Sequence, residues 1–222
     1  MKKKVILLLT FTLSISLCSC GGNKKAFEAS KAAYDNVDVA YEIIEQFGSD
    51  LYEAWRLGIY DDEEILEDGL KHLASELSLS EEELGGGVAY VMNELSGKEW
   101  SEITDEDRRT YADSADLFFD MMEDNLFSFC VMIVDGAYIA NGKVEEAQSA
   151  LDTAKIQMKE LSEKYSDYEH YPNLKGYYTT TSSFFDFCQN PTGSFEQVKD
   201  TINDYKNEAR DYISDLDYIF EE

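Results

Sequence analysis

The chain has 222 residues, with 46 acidic and 19 basic side chains, a net charge of −27, two histidines, two prolines and four cysteines. At 44% hydrophobic residues it has the material for the core of one or two domains and is too apolar for wholesale disorder. The acidity excludes a nucleic-acid binder, which needs a basic patch for the phosphates, and it excludes electrostatic docking on anionic lipid.

In chain order, Lys2, Lys3 and Lys4 come first, followed by an uncharged apolar run of 13 residues from Val5 to Leu17. That length suits the hydrophobic region of a signal peptide and is short of the ~20 residues of a transmembrane helix. The run leads into Leu17-Cys18-Ser19-Cys20-Gly21-Gly22-Asn23. This segment resembles the lipobox of bacterial lipoproteins: a leucine, two small residues, then the cysteine that becomes the lipidated N-terminus. The resemblance covers about residues 1–23. It implies a cleaved signal peptide over 1–19, Cys20 as lipid acceptor, a short tether over 20–25 and a protein held on the cell membrane, facing outside the cytoplasm. Cys18 stands where the family usually has Ala, Ser or Thr. Were Cys18 the acceptor, Leu17 would directly precede it, which fits the pattern poorly. A plain secretion signal and a core helix are the other readings of this segment.

Two or more acyl chains anchor stably where one is marginal. Loss of residues 1–19 removes three lysines and no acid, which takes the net charge to −30. The folded part is then repelled by an anionic bilayer, so the lipid is its expected membrane contact.

The remainder, 26–222, reads as a single α-helical domain. No proline occurs before Pro172. Phe27, Tyr34, Val37, Tyr41, Ile44, Leu51 and Trp55 keep one three–four spacing, predicting a helix over about 25–60 with a possible bend at Gly48. A shorter helix follows over about 61–78. Ser80 with Glu83 makes a capping box opening a helix over 81–96, which Gly97 ends. Thr104-Asp105-Glu106-Asp107 starts a helix over about 105–140. Its middle, Leu126 to Val134, is apolar on nearly every side, which predicts a place at the centre of a bundle. Asn141-Gly142 stops it and forms a hairpin with a helix over 142–168, striped by Val144, Ala147, Leu151, Ala154, Met158, Leu161, Tyr165 and Tyr168. Pro172 and Asn173 open a helix near 173–189, where Leu174, Tyr177, Thr181, Phe184 and Cys188 keep helical spacing. Ser194 with Gln197 caps the last helix, 194–221. The expected fold is an elongated all-α bundle of four long and about three shorter helices. The two longest, of 36 residues, would each reach ~54 Å.

No metalloprotease, phosphate-loop, nucleophile-elbow or calcium-loop pattern is present, and no cofactor or metal is expected. The acidic runs Asp61–Glu64 and Glu81–Glu83 sit where helices begin and complement the helix dipole. Gly85-Gly86-Gly87 lacks the Lys-Ser/Thr of a phosphate loop. Cys130 and Cys188 stand among apolar residues; an exported protein permits a disulfide between them, and buried free thiols are the alternative. The segment 165–178 holds five tyrosines, one histidine and one proline at a helix–helix corner. Tyr165, Tyr168, His170, Tyr171, Tyr177 and Tyr178 are a candidate surface for a protein, peptide or sugar, against the reading that they close the end of the core. The expectation is therefore a membrane-anchored, non-enzymatic lipoprotein that binds or scaffolds a partner. The alternative is capture of a small peptide or sugar between helices. Catalysis through Asp135, in the apolar helix, lacks a partner group.

Overall fold

The computed structural model describes residues 22–97 and 100–220. The expected signal peptide, 1–19, and Cys20 lie outside them. The fold is all-α, without a strand among the described residues. The elements are α1 (Gly22–Tyr60), α2 (Asp62–Glu76), α3 (Glu81–Ser96), α4 (Asp105–Asp113), α5 (Ala115–Met121), α6 (Leu126–Ala140), α7 (Lys143–Lys164), α8 (Tyr171–Gln189) and α9 (Phe195–Phe220). Short 3-10 turns lie at Trp100–Glu102 and Glu123–Asn125. Among the described residues no helix is long and apolar enough to cross a membrane.

Local sequence explains most boundaries. Ser80 and Glu83 form a reciprocal capping box at the start of α3, and Thr104 and Asp107 form another at the start of α4. Gly97 ends α3 in the left-handed conformation. Gly142, also left-handed, turns α6 into α7. Ser194 and Gln197 cap α9 through Ser194 N–H to Gln197 Oε1, 2.8 Å, and Gln197 N–H to Ser194 Oγ, 3.4 Å. At the other end of the chain, α1 begins at Gly22 and takes in residues 22–25 of the expected tether.

The centre of the bundle belongs to α1. At 39 residues it is about 58 Å long. It packs on α2, α6, α7, α8 and α9. Its stripe of Ala33, Val37, Ala40, Ile44, Ala54 and Leu57 is fully buried. The expectation that residues 126–134 lie at the centre is corrected: α6 packs on α1, α3 and α7, and leaves Phe127 and Met132 exposed at 38% and 37%. The apolar residues on the outer side of α6 are half-covered rather than central.

Two further expectations change. The single helix over 105–140 is three helices, broken at Ser114 and at Met122–Asn125. The breaks let α4 pack on α3, α5 on α2 and α6 on α1 and α3, three directions that one straight rod cannot serve. Phe119 in α5 is fully buried and lies against Gly69, where a Cβ would come within 2.4 Å of its ring. Gly48 produces no break in α1; it makes room for Phe184, whose ring would lie 2.7 Å from a Cβ there. The glycine run of α3 has a packing role as well. A Cβ on Gly87 would sit 2.1 Å from the Ile133 carbonyl oxygen, so the backbones of α3 and α6 touch only because it is absent.

Candidate functional site

The tyrosine-rich corner joins α7 to α8. Backbone N–H groups of Tyr168 and Tyr171 donate to the carbonyls of Tyr165 and Tyr168, 2.9 and 3.0 Å, which winds the chain through two tight turns. Tyr165, Tyr171 and Tyr178 are half-buried and pack against the core. Tyr168 and His170 meet edge to face, ring centroids 5.3 Å apart, on the half-buried outer side. Tyr177 leaves the candidate surface altogether: it is fully buried, and its hydroxyl donates to Asp38, 3.1 Å. Its ring lies 5.8 Å from both Tyr34 and Tyr41 of α1. The physical reason was already in its spacing, since Tyr177 stands on the same stripe as Leu174, Thr181 and Phe184, which are all buried. Burial pushes the Asp38 carboxyl up, opposed by the hydrogen bond from Tyr177.

Cys130 and Cys188 are buried free thiols. Burial pushes the Cys130 thiol up to about 12 and raises that of Cys188 as well. Both side chains act as small hydrophobes in the core. Asp135 is half-buried in α6, and burial pushes its carboxyl up to about 6.

A site that sequence spacing did not single out lies between α1 and α9. The two helices run antiparallel. Tyr34 reaches Phe220, Glu45 pairs with Arg210, Ser49 bonds to Lys206 and Tyr52 stacks on Phe195, so numbers rise on one helix as they fall on the other. Between the Glu45–Arg210 and Tyr52–Phe195 contacts lies a half-open cleft of about 390 Å³. One wall is the Gln46, Ser49 and Glu53 face of α1; the other is Lys199, Asn203 and Lys206 of α9. Glu76 and Ser78, from the end of α2 and the link to α3, close one side. The size is at the lower end of the range of small-ligand sites.

At the base of the cleft is Asp50, only 3% exposed. Its oxygens accept from Ser78 N–H at 3.1 Å, Ser78 Oγ at 2.5 Å, Tyr138 hydroxyl at 2.8 Å and Gln46 Nε2 at 3.3 Å. A buried carboxylate is tolerated when its lone pairs are filled in this way. The arrangement pins α1, the α2–α3 link and α6 to one another. Lys206, also lining the cleft, donates to Ser49 Oγ. Burial draws its amine below the ordinary lysine value, partly offset by Glu45, and Arg210 lowers it further. The Tyr52 ring stacks on Phe195 at 5.1 Å on the cleft's rim, and Lys199 Nζ stands 6.0 Å from the Tyr52 centroid.

The signal for Asp50 was faint but present. It lies three residues after Phe47 and four before Ala54, both buried, so a carboxylate falls on the apolar side of α1. The cleft lysines carried no such signal, because a lysine on the polar face of a helix is ordinary. No protein-family model matches the chain, and neither a curated protein nor a solved structure shows significant similarity to it.

Proposed function

We propose that this protein is a lipid-anchored extracytoplasmic binding protein, held to the membrane through Cys20 and acting by capture or scaffolding rather than by chemistry. The observation that carries the reading is the order of three features at the N-terminus: lysines, a 13-residue apolar run and Leu17-Cys18-Ser19-Cys20. Helix α1 adds support by starting two residues after Cys20 and rising about 42 Å from Gly22 to Asp50. With α1 upright on the membrane the cleft would stand well away from the bilayer, where a solute or partner outside the cytoplasm reaches it. The cleft favours a second, finer reading within this one: capture of a small peptide or sugar between helices. The test of anchoring is Cys20→Ala. The variant is expected in the medium or as an unprocessed precursor, and the wild type in the membrane with a mass raised by acyl chains. Unchanged membrane retention and mass in the variant would refute the proposal.

A further inference from the structure

The capture reading assigns the cleft a role, and the residues that line it narrow what it takes. The decisive feature is how its charges are paired. In a chain with 46 acids and 19 bases, a lysine meets a carboxylate easily. Lys24, Lys31, Lys71, Lys143 and Lys164 do so within 4.0 Å, whereas Lys155, Lys159 and Lys175 stand exposed outside any ion pair among the described residues. Lys199 and Lys206 face the cleft half-buried, and among the described residues neither belongs to an ion pair. Lys206 is held by the Ser49 hydroxyl, and Lys199 stands near the Tyr52 ring. They lie two helical turns apart on one face of α9, with the Asn203 amide between them.

The opposite sign is present too, and it is distributed differently. Asp50 is saturated by its four hydrogen bonds. Glu53 is held by Arg56 at 2.7 Å. Glu76, exposed at the closed side of the cleft, belongs to no ion pair among the described residues; the Ser75 hydroxyl approaches it at 3.4 Å. The cleft therefore offers two ammonium groups on one wall and an accessible carboxylate at its side. A multiply charged anion such as phosphate is opposed there by Asp50, Glu53 and Glu76. A simple cation is opposed by both lysines. A molecule that carries both charges, separated by a few bonds, meets each with its complement.

We propose that the cleft binds a zwitterionic amino acid or short peptide. Its carboxylate lies on Lys206 and Lys199, its ammonium turns to Glu76, and the amides of Gln46 and Asn203 serve its polar backbone. The half-buried position of Lys206 fits this role. An amine drawn partly out of water, hydrogen-bonded to a hydroxyl and outside any ion pair among the described residues, gains more from an incoming carboxylate than an exposed lysine would. The proposal rests on the capture reading and deepens it.

Calorimetric titration of the purified mature protein tests it. The probes are alanine, tyrosine, lysine and glutamate, the dipeptides Ala-Ala, Ala-Tyr, Ala-Lys and Ala-Glu, and glucose as a neutral solute. At least one zwitterion is expected to bind. Acetylating its amino end or amidating its carboxyl end should weaken it tenfold or more. Lys206→Met and Lys199→Met should each weaken the free form tenfold or more while leaving the amidated form unaffected. Glu76→Gln should weaken the free form and spare the acetylated one. Melting temperatures of the three variants verify that they are folded. Absence of heat from every zwitterion up to 10 mM (about −2.7 kcal/mol of binding free energy) overturns the assignment. So does equal binding of blocked and free forms, or indifference to all three substitutions. Binding of glucose in place of the zwitterions overturns it as well but leaves the capture reading standing. Anchoring is judged separately, by the Cys20→Ala fractionation.

Discussion

Asp50 and Asp135 show how neighbours decide the fate of a buried carboxylate. Asp50 is the more buried, and its oxygens accept from Ser78, Tyr138 and Gln46. Asp135 is pushed up to about 6 by burial. An unfolded aspartate releases its proton near ~4. Between these values the folded state holds a proton that the unfolded chain has lost. The stability Asp135 contributes in its protonated form is therefore complete below about pH 4 and lost as the pH rises through about 6. Asp135→Asn removes that loss. It should raise the melting temperature at pH 7–8, leave it nearly unchanged at pH 4 and flatten the slope between. Thermal melts across this range check it. An equal effect at pH 4 and pH 8 would contradict the assignment, as would a lower melting temperature at neutral pH. Asp38 is shifted in the same direction and adds to the same trend in the wild type.

At the scale of elements, the segment 105–140 is the informative one. Tyr111, Ala115, Phe119, Met122, Leu126, Phe129 and Ile133 keep a three–four spacing straight through both breaks, so periodicity alone reads one helix. What divides it is the destination of each part, and above all the pocket beside Gly69 that receives Phe119. Helix α5 has seven residues, of which Ala115 and Phe119 are buried. Phe119→Ala should cost about 3–5 kcal/mol, the range for a buried phenylalanine. It should also open residues 113–125 to limited proteolysis, because little else holds α5 on α2. Urea denaturation and protease mapping check both. A loss below about 1 kcal/mol with no new cleavage would show that α5 is held by other means. The contrast defines what was legible in the sequence. Ser80 with Glu83, Thr104 with Asp107, Gly97 and Ser194 with Gln197 marked their boundaries because a cap is local. The all-α class and the long first and last helices were legible for the same reason. The breaks in 105–140 and the central place of α1 depend on partners far along the chain. The cleft was hidden for that reason too: Ser49 and Lys206 are 157 residues apart, and each alone looks like a solvated side chain.

Across the whole molecule, repulsion between like charges outweighs attraction. The chain carries a net charge of −27, and among the described residues its ion pairs are mostly partly exposed contacts three or four residues apart, a kind that contributes little. Salt weakens those few attractions and the far more numerous repulsions together, and the relief of repulsion is the larger effect. Raising sodium chloride from 10 to 300 mM shortens the screening length from about 30 Å to under 10 Å. The melting temperature should rise with it by a few degrees. A melting temperature that falls over this range would mean that the ion pairs outweigh the net charge.

The central position of α1 has a consequence for the order in which the protein can be made. This helix leaves the ribosome first, and three of the helices that cover it, α7, α8 and α9, leave last. The part of its stripe that α7, α8 and α9 cover stays bare while more than 80 further residues emerge before Lys143. At 5–20 residues per second, completion of α9 comes on the order of ten seconds after α1. The hairpin of α6 and α7 can form early from neighbouring sequence, but the bundle cannot close around α1 until α9 has emerged. For the export proposed above this delay would be useful, because a domain that cannot finish folding on the near side of a membrane remains threadable. On the far side, the same delay makes the stripe of α1 the natural place for a chaperone to hold.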